Sequence, residues 1–299
     1  MSETRRIAWG GKTLYSARVG ILMLETRFPR IPGDMGNADT WPFPVLYKVV
    51  PGASPRRVVC EKAAGLLDAF LAAADELVRL GADGITTTCG FLSLYQRQIA
   101  EHVGVPVATS SLMQIPFIER LLPPGKRVGV LTVNAANLTA EHLRAAGADP
   151  AIPIVGTEGG REFTRVMIND EQRLDVAAAE SDILAAGEEL AANHDGIGAV
   201  LLECTNMVPY AQALSQRLRL PVFSIYTFVT WFHSGLVPRG FGHPARAAES
   251  QRNFVFEVGR FFLTNAVRSD GTSGQRGVRV NHVALRLTDV ACKRKLSIS

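Results

Sequence analysis

No apolar run in the chain reaches about 18 residues, the length a membrane helix needs, so no membrane span is expected. The first residues, MSETRRIAWGGKTLYSAR, carry charge but lack the apolar stretch of a secretory signal. The four cysteines, Cys60, Cys89, Cys204 and Cys292, are scattered and form no CxxC pair. That spacing speaks against a disulfide scaffold, and reduced thiols in a cytoplasmic protein are the expectation. The six histidines (His102, His142, His194, His233, His243, His282) show no ligand spacing and predict no metal site. There is no P-loop, and no GxGxxG follows a strand. Aromatics make up only 7% and do not interleave with a basic stripe, so nucleic-acid binding gains no support.

The basic balance is concentrated in the tail. Residues 267–299 contain seven Lys/Arg and two Asp/Glu, or 7 − 2 = +5. The whole chain carries +4, so residues 1–266 carry 4 − 5 = −1 and are nearly neutral. The tail opens Gly/Ser-rich and reads as a weakly ordered extension rather than a binding arm. The remainder, in a chain that is 47% hydrophobic and 20% charged, can bury a large core.

What is present is an alternation of strands and helices. RVGILML from Arg18, DGITTT, VPVATSS, KRVGVLTV, IPIVGTE, GAVLLEC and LPVFSI read as strands. Between them, 54–80, LSLYQRQIAEHVG, SLMQIPFIERLL, LTAEHLRAAG, LDVAAAESDILAAGEELAANH and VPYAQALSQRL read as helices, and 250–266 as a final one. Ser54 and Thr139 suit N-caps, and Pro55 and Pro116 suit first turns. This order predicts βαβ units and a mainly parallel sheet.

The chain also repeats itself. RVGIL at Arg18 returns as RVGVL at Arg127, GADGITTTCGF returns as GIGAVLLECTNM, and VPVATS returns as LPVFSI. Cys89 to Pro106 spans 106 − 89 = 17 residues, and Cys204 to Pro221 spans 221 − 204 = 17. The pattern predicts two pseudo-symmetric α/β lobes with a cleft between them. Its boundaries are an extension over 1–17, lobe 1 over 18–115 plus 223–266, lobe 2 over 116–222, and the tail.

Ligands of open α/β sheets bind at the carboxyl ends of the strands, where each half carries one cysteine. One thiolate can remove a proton from a carbon acid and a thiol on the opposite face can return one, which inverts the carbon without metal or organic cofactor. The enolate-like intermediate needs donors aimed at its oxygens. Thr88, Gly90, Thr205 and Asn206 lie beside the cysteines, and Ser110, Ser111, Thr132 and Asn134 close other predicted strands. Each alone also reads as a cap or turn residue; as a set they favour a small anionic ligand. Pro209 suits the first turn of a helix whose dipole would favour a Cys204 thiolate, and Ser93 suits a cap beyond Gly90.

At TTTCGF and LLECTNMVPYAQAL the chain resembles the aspartate/glutamate racemase superfamily, which also contains hydantoin racemases, arylmalonate decarboxylases and maleate isomerases. The resemblance extends over about 18–265. It implies two similar lobes and cofactor-independent chemistry, with Cys89 and Cys204 as the acid/base pair and Thr205 binding the substrate carboxylate. Two departures stand out. Glutamate racemases read Cys-Asn-Thr at the first cysteine, where this chain has Cys89-Gly90-Phe91, and their Asp-Ser-Gly-type loop is replaced by LETRFPRIPGDMGNADTWPF. The ammonium-binding groups of a glutamate racemase are therefore not visible, and Phe91, Trp41 and Phe43 read either as core or as the wall of a less polar pocket.

The expected function is a racemase or epimerase acting beside a carboxylate or related carbonyl. Maleate-type isomerisation, arylmalonate-type decarboxylation and a non-catalytic bilobed binding protein are the alternatives, and a homo-oligomer is left open. The loop 28–44 reads equally as a lid and as an ordered surface loop. Gly159-Gly160 reads as a hinge candidate, Arg161 and Arg165 as exposed or anion-reaching, and Cys60 as core.

Overall fold

The structure, a computed structural model, describes residues 11 and 14–241. The helix expected at 250–266 and the basic tail lie outside the described residues. In the first half, β1 (Val19–Leu24), β2 (Val45–Val50), α1 (Pro55–Val59), α2 (Leu67–Leu80), β3 (Gly84–Thr87), α3 (Gln96–Val103) and β4 (Val107–Ala108) follow in order. The second half runs α4 (Ile115–Leu121), β5 (Arg127–Thr132), α5 (Ala140–Ala145), β6 (Ile154–Gly156), α6 (Phe163–Asn169), α7 (Val176–Asn193), β7 (Ile197–Leu202), α8 (Ala211–Leu218) and β8 (Val222–Phe223). A last described helix, α9, spans Ile225–Leu236.

Two separate four-stranded parallel sheets result, ordered β2-β1-β3-β4 and β6-β5-β7-β8. The strand order is the same in both, as the sequence repeat predicts. The central strands are apolar on both faces because helices cover both faces. The repeated glycine of RVGIL and RVGVL has a packing reason. A Cβ on Gly20 would stand 3.1 Å from Leu77 Cβ of α2, and one on Gly129 would stand 2.7 Å from Leu190 Cδ2 of α7. In each half a long helix lies on the sheet at a distance only glycine permits. After β8 the chain returns to the first sheet: a Cβ on Gly84 would meet the Phe232 ring of α9 at 2.6 Å. Ile225, Phe228 and Val229 share a buried cluster with Val19 and Ile21 of β1.

Several elements differ from expectation. β2 was not expected; it is an edge strand, only partly buried and holding Lys48, so its period-two signal is weak. The single helix expected over 54–80 is two, because Lys62, Ala63 and Gly65 take left-handed backbone between α1 and α2. Cys60, read as core, caps α1 and is exposed. Pro209 lies inside a 3-10 turn over Thr205–Tyr210, not in the first turn of α8. Ser93 caps nothing; its hydroxyl donates to the His142 carbonyl at 3.1 Å. α6 and α9 had not been assigned as helices. Among the described residues, no helix is long and apolar enough to cross a membrane.

Candidate active site

Both strand-end cysteines occupy the same local frame. Cys89 follows β3 and precedes a 3-10 turn over Gly90–Tyr95, and Cys204 follows β7 and precedes the turn over Thr205–Tyr210. Each thiol faces the main-chain N–H two residues on, from Phe91 and Asn206 respectively. Both cysteines are buried, and both line one small cavity of about 30 Å³ at the meeting of the two halves.

Of the other expected site residues, Thr88, Gly90, Thr205 and Asn206 line this cavity, whereas Ser110, Ser111, Thr132 and Asn134 do not. Local bonding explains the second group. Ser110 caps a 3-10 turn through the Leu112 N–H at 3.2 Å. Ser111 donates to the Leu202 carbonyl of β7 at 2.8 Å and so ties the halves together. Asn134 accepts from the Asn137 N–H in a turn, and Thr132 is buried beneath the site. Within the first group, the Thr205 hydroxyl gives its proton to the Thr88 carbonyl at 2.8 Å, a second link across the halves. The Thr88 hydroxyl accepts from the Leu24 N–H at 3.0 Å. The remaining hydroxyls of GITTTC are structural, since Thr86 and Thr87 donate to the Ala108 and Thr109 carbonyls beyond β3.

Three charged residues at the site were not anticipated. Glu203, fully buried, lines the cavity next to Cys204. Its Oε2 accepts from the Thr132 hydroxyl at 2.7 Å, and its Oε1 has no partner. Burial pushes its carboxyl up to about 7. Arg30 lines the cavity from the loop after β1 and pairs with Asp34 at 2.7 Å. Asp34 in turn accepts from Asn206 Nδ2 at 2.5 Å, and the Cys204 thiol donates to Asn206 Oδ1 at 3.5 Å. The loop 25–41 is thus ordered by its own contacts and bonded to the residue beside the second cysteine. The signal for Glu203 was visible: a lone carboxylate ends the apolar run of β7. Arg30 and Asp34 lie in a loop with no periodicity and left no such mark.

Leu24, Phe28, Val59, Phe91, Val133 and Met167 supply an apolar wall. Trp41 and Phe43 are not in it; Trp41 packs on Phe43 and Tyr226 and donates to the Met35 carbonyl. Arg165 is bound by Glu162 and Glu171, and Arg161 borders a separate groove with Asp182. The helix-dipole stabilisation expected for a Cys204 thiolate loses its geometry, because the 3-10 turn over Thr205–Tyr210 separates Cys204 from α8. Burial pushes both thiols above the usual thiol range, and the Glu203 charge pushes the same way. Among the described residues, no three His, Cys, Asp or Glu side chains are grouped to hold a metal.

A family model for Asp/Glu/hydantoin racemases matches residues 61–231, more than half of the chain. The chain belongs to this family. Among curated relatives, a dimethylsulfoniopropionate lyase of Durusdinium sp. clade D is 25% identical over 229 residues, covering 74% of this chain and 75% of that protein. Dimethylsulfoniopropionate lyase 3 of Emiliania huxleyi (strain CCMP1516) is 29% identical over 222 residues, covering 70% of this chain and 57% of that protein, so the match spans little more than half of the Emiliania relative. Among solved structures, allantoin racemase from Klebsiella pneumoniae superposes with a TM-score of 0.53 at 19% identity, covering 74% of this chain and 88% of that one. A double mutant of arylmalonate decarboxylase in its liganded form gives 0.52 at 19% identity, covering 76% and 94%. At such identities the structural likeness shows the shared bilobed α/β fold.

Proposed function

We propose that this family member is a cofactor-independent lyase that removes the proton beside a carboxylate and expels a β-sulfonium group, with dimethylsulfoniopropionate as the substrate to test first. The observation that carries the proposal is the pairing of two strand-end thiols with a buried carboxyl in one largely apolar cavity. Similarity to dimethylsulfoniopropionate lyases directs that chemistry toward a sulfonium acid.

The elimination balances simply. A thiolate takes the α-proton, the electron pair forms the C=C bond, and the C–S bond breaks with its electrons leaving on dimethyl sulfide, which gives acrylate. The sulfonium charge addresses a difficulty in the site. Both thiols are held protonated by burial, and a cation delivered beside them favours the thiolate. The Phe91 ring suits such a cation, as aromatic faces suit quaternary ammonium groups, whereas the Phe28 ring already carries the Arg30 guanidinium 4.8 Å from its centroid. In this reading the Arg30 guanidinium, which pairs with Asp34 in the free site, takes the substrate carboxylate.

Racemisation or epimerisation by two-thiol proton transfer is the second candidate, favoured by the matched placement of Cys89 and Cys204 in the two halves. Proton NMR in D₂O separates the two. Acrylate vinyl signals from dimethylsulfoniopropionate, lost in Cys89→Ser and Cys204→Ser, are the expected result. Solvent exchange at the α-carbon of aspartate, glutamate or a hydantoin without elimination would replace the lyase with a racemase. Maleate turning to fumarate, or CO₂ loss from an arylmalonate, would move it to the corresponding sibling chemistry. Saturable binding of one of these acids with no turnover would favour a binding protein.

A further inference from the structure

Glu203 has no role in two-thiol proton transfer as described, yet its placement sets it apart from the other buried carboxylates. Asp34 and Glu162 are each paired with an arginine, Arg30 and Arg165. Among the described residues no ion pair reaches Glu203, whose Oε1 is buried without a partner. Carboxylates buried without a cation are costly, and such a group takes up a proton instead. With Oε2 occupied by the Thr132 hydroxyl, that proton resides on Oε1. The carboxyl lines the same cavity as Cys89 and Cys204 and packs against Gly90, the neighbour of Cys89.

We propose that the Glu203 carboxyl is a positioning residue that sets the charge of the cleft: protonated, it permits the two thiols to ionise, and ionised, it opposes them. The inference rests on the thiols being the reactive groups. The charged and titratable groups around the cavity are Cys89, Cys204, Arg30 and Asp34; the last two are ion-paired, Asp34 still pushing the Cys204 thiol up and Arg30 the Cys89 thiol down, each less than Glu203, which has no cation of its own. His142, beyond Phe91, is held neutral by burial, which pushes it down to about 4. The upward push on the Glu203 carboxyl, to about 7, agrees with the geometry.

The test follows alkylation of Cys89 and Cys204 by iodoacetamide between pH 6 and 10, read peptide by peptide by mass spectrometry so that Cys60 and Cys292 do not interfere. In the Glu203→Gln variant alkylation of both thiols should match wild type near pH 6 and run roughly tenfold faster above pH 8, where the wild-type carboxyl is ionised. Glu203→Asp should restore slow alkylation. Loosened packing would raise the rates by the same factor at every pH, so the growth of the variant-to-wild-type rate ratio across pH 7 is the diagnostic quantity. Thr132→Val, which removes only the hydroxyl donor to the carboxylate, should keep Glu203 protonated to higher pH and speed alkylation between pH 7 and 8. As a direct check, the infrared C=O band of a protonated buried carboxyl should be present at pH 6, fade above pH 7, and be missing in Glu203→Gln. Coincident thiol profiles in wild type and Glu203→Gln would overturn the proposal. So would the lack of that band at pH 6, a result obtainable on the wild-type protein alone. No step requires turnover, so failure here is separable from failure of the proposed reaction.

Discussion

Replacing Gly90 with alanine adds a single methyl group at the most crowded point of the site. Its Cβ would overlap Glu203 Oε1 and stand 2.6 Å from the Glu203 main-chain oxygen and 2.9 Å from Cδ. The carboxylate tip can rotate, but the main-chain oxygen cannot easily move. The end of β7 is held by the Glu203 N–H to the Leu131 carbonyl at 2.8 Å and by the Ser111 hydroxyl to the Leu202 carbonyl at 2.8 Å. Overpacking of this kind costs about 1–3 kcal/mol. For a folded body of this size each kcal/mol lowers Tm by roughly 2–4 °C, so Gly90→Ala should melt roughly 2–12 °C below wild type. A double-mutant cycle divides the cost. In a Glu203→Ala background the clash with the carboxylate is gone and the clash with the main chain stays, so Gly90→Ala should still destabilise, but by less, with a coupling on the order of 1 kcal/mol. The assay is thermal melting together with urea denaturation of the four proteins, with cavity access followed by Cys89 alkylation. A Gly90→Ala protein with wild-type Tm and unchanged Cys89 reactivity would refute the claim that Glu203 requires glycine at position 90.

Other consequences concern charge and the links between the halves. Glu203 holds its proton in the folded state up to about pH 7, against an ordinary 4.5, so folding stability should fall as pH rises from 4.5 to 7, by on the order of 3 kcal/mol. His142, pushed down to about 4 from 6.5, acts oppositely: stability should rise as pH climbs from 4 to 6.5. Urea titrations should therefore show a steeper rise between pH 4.5 and 6.5 in Glu203→Gln than in wild type, and parallel curves would contradict this. Ser111→Ala removes a bond between the halves and should cost about 1 kcal/mol by the same denaturation assay. Asp34→Ala severs the tie from the loop to Asn206, and should speed both Cys204 alkylation and proteolytic cleavage within 26–41, with Cys60 alkylation as the unchanged control.

What the sequence revealed and what it concealed follow from one distinction, between repeated backbone frames and side chains that meet across them. The strand order, the matched cysteines and the paired glycines Gly20 and Gly129 are properties of a βαβ frame used twice, and a repeated frame leaves a repeated pattern in the chain. The hydroxyls were legible as residue types but not as partners. Ser111 and Thr205 bond to carbonyls 91 and 117 positions away, a pairing that no local spacing encodes, so donors expected to face a ligand turned out to fasten one half to the other. The departure at Cys89-Gly90-Phe91 shows how such a pairing can be recovered afterwards. Position 90 is glycine because Glu203 of the other half fills the space a side chain would take. The two departures from a plain repeat, Gly90 in one half and Glu203 in the other, are therefore a single feature. Where the halves are alike they build the two thiol positions, and where they differ they place one buried carboxyl between them, giving a nearly symmetric cavity an asymmetric charge.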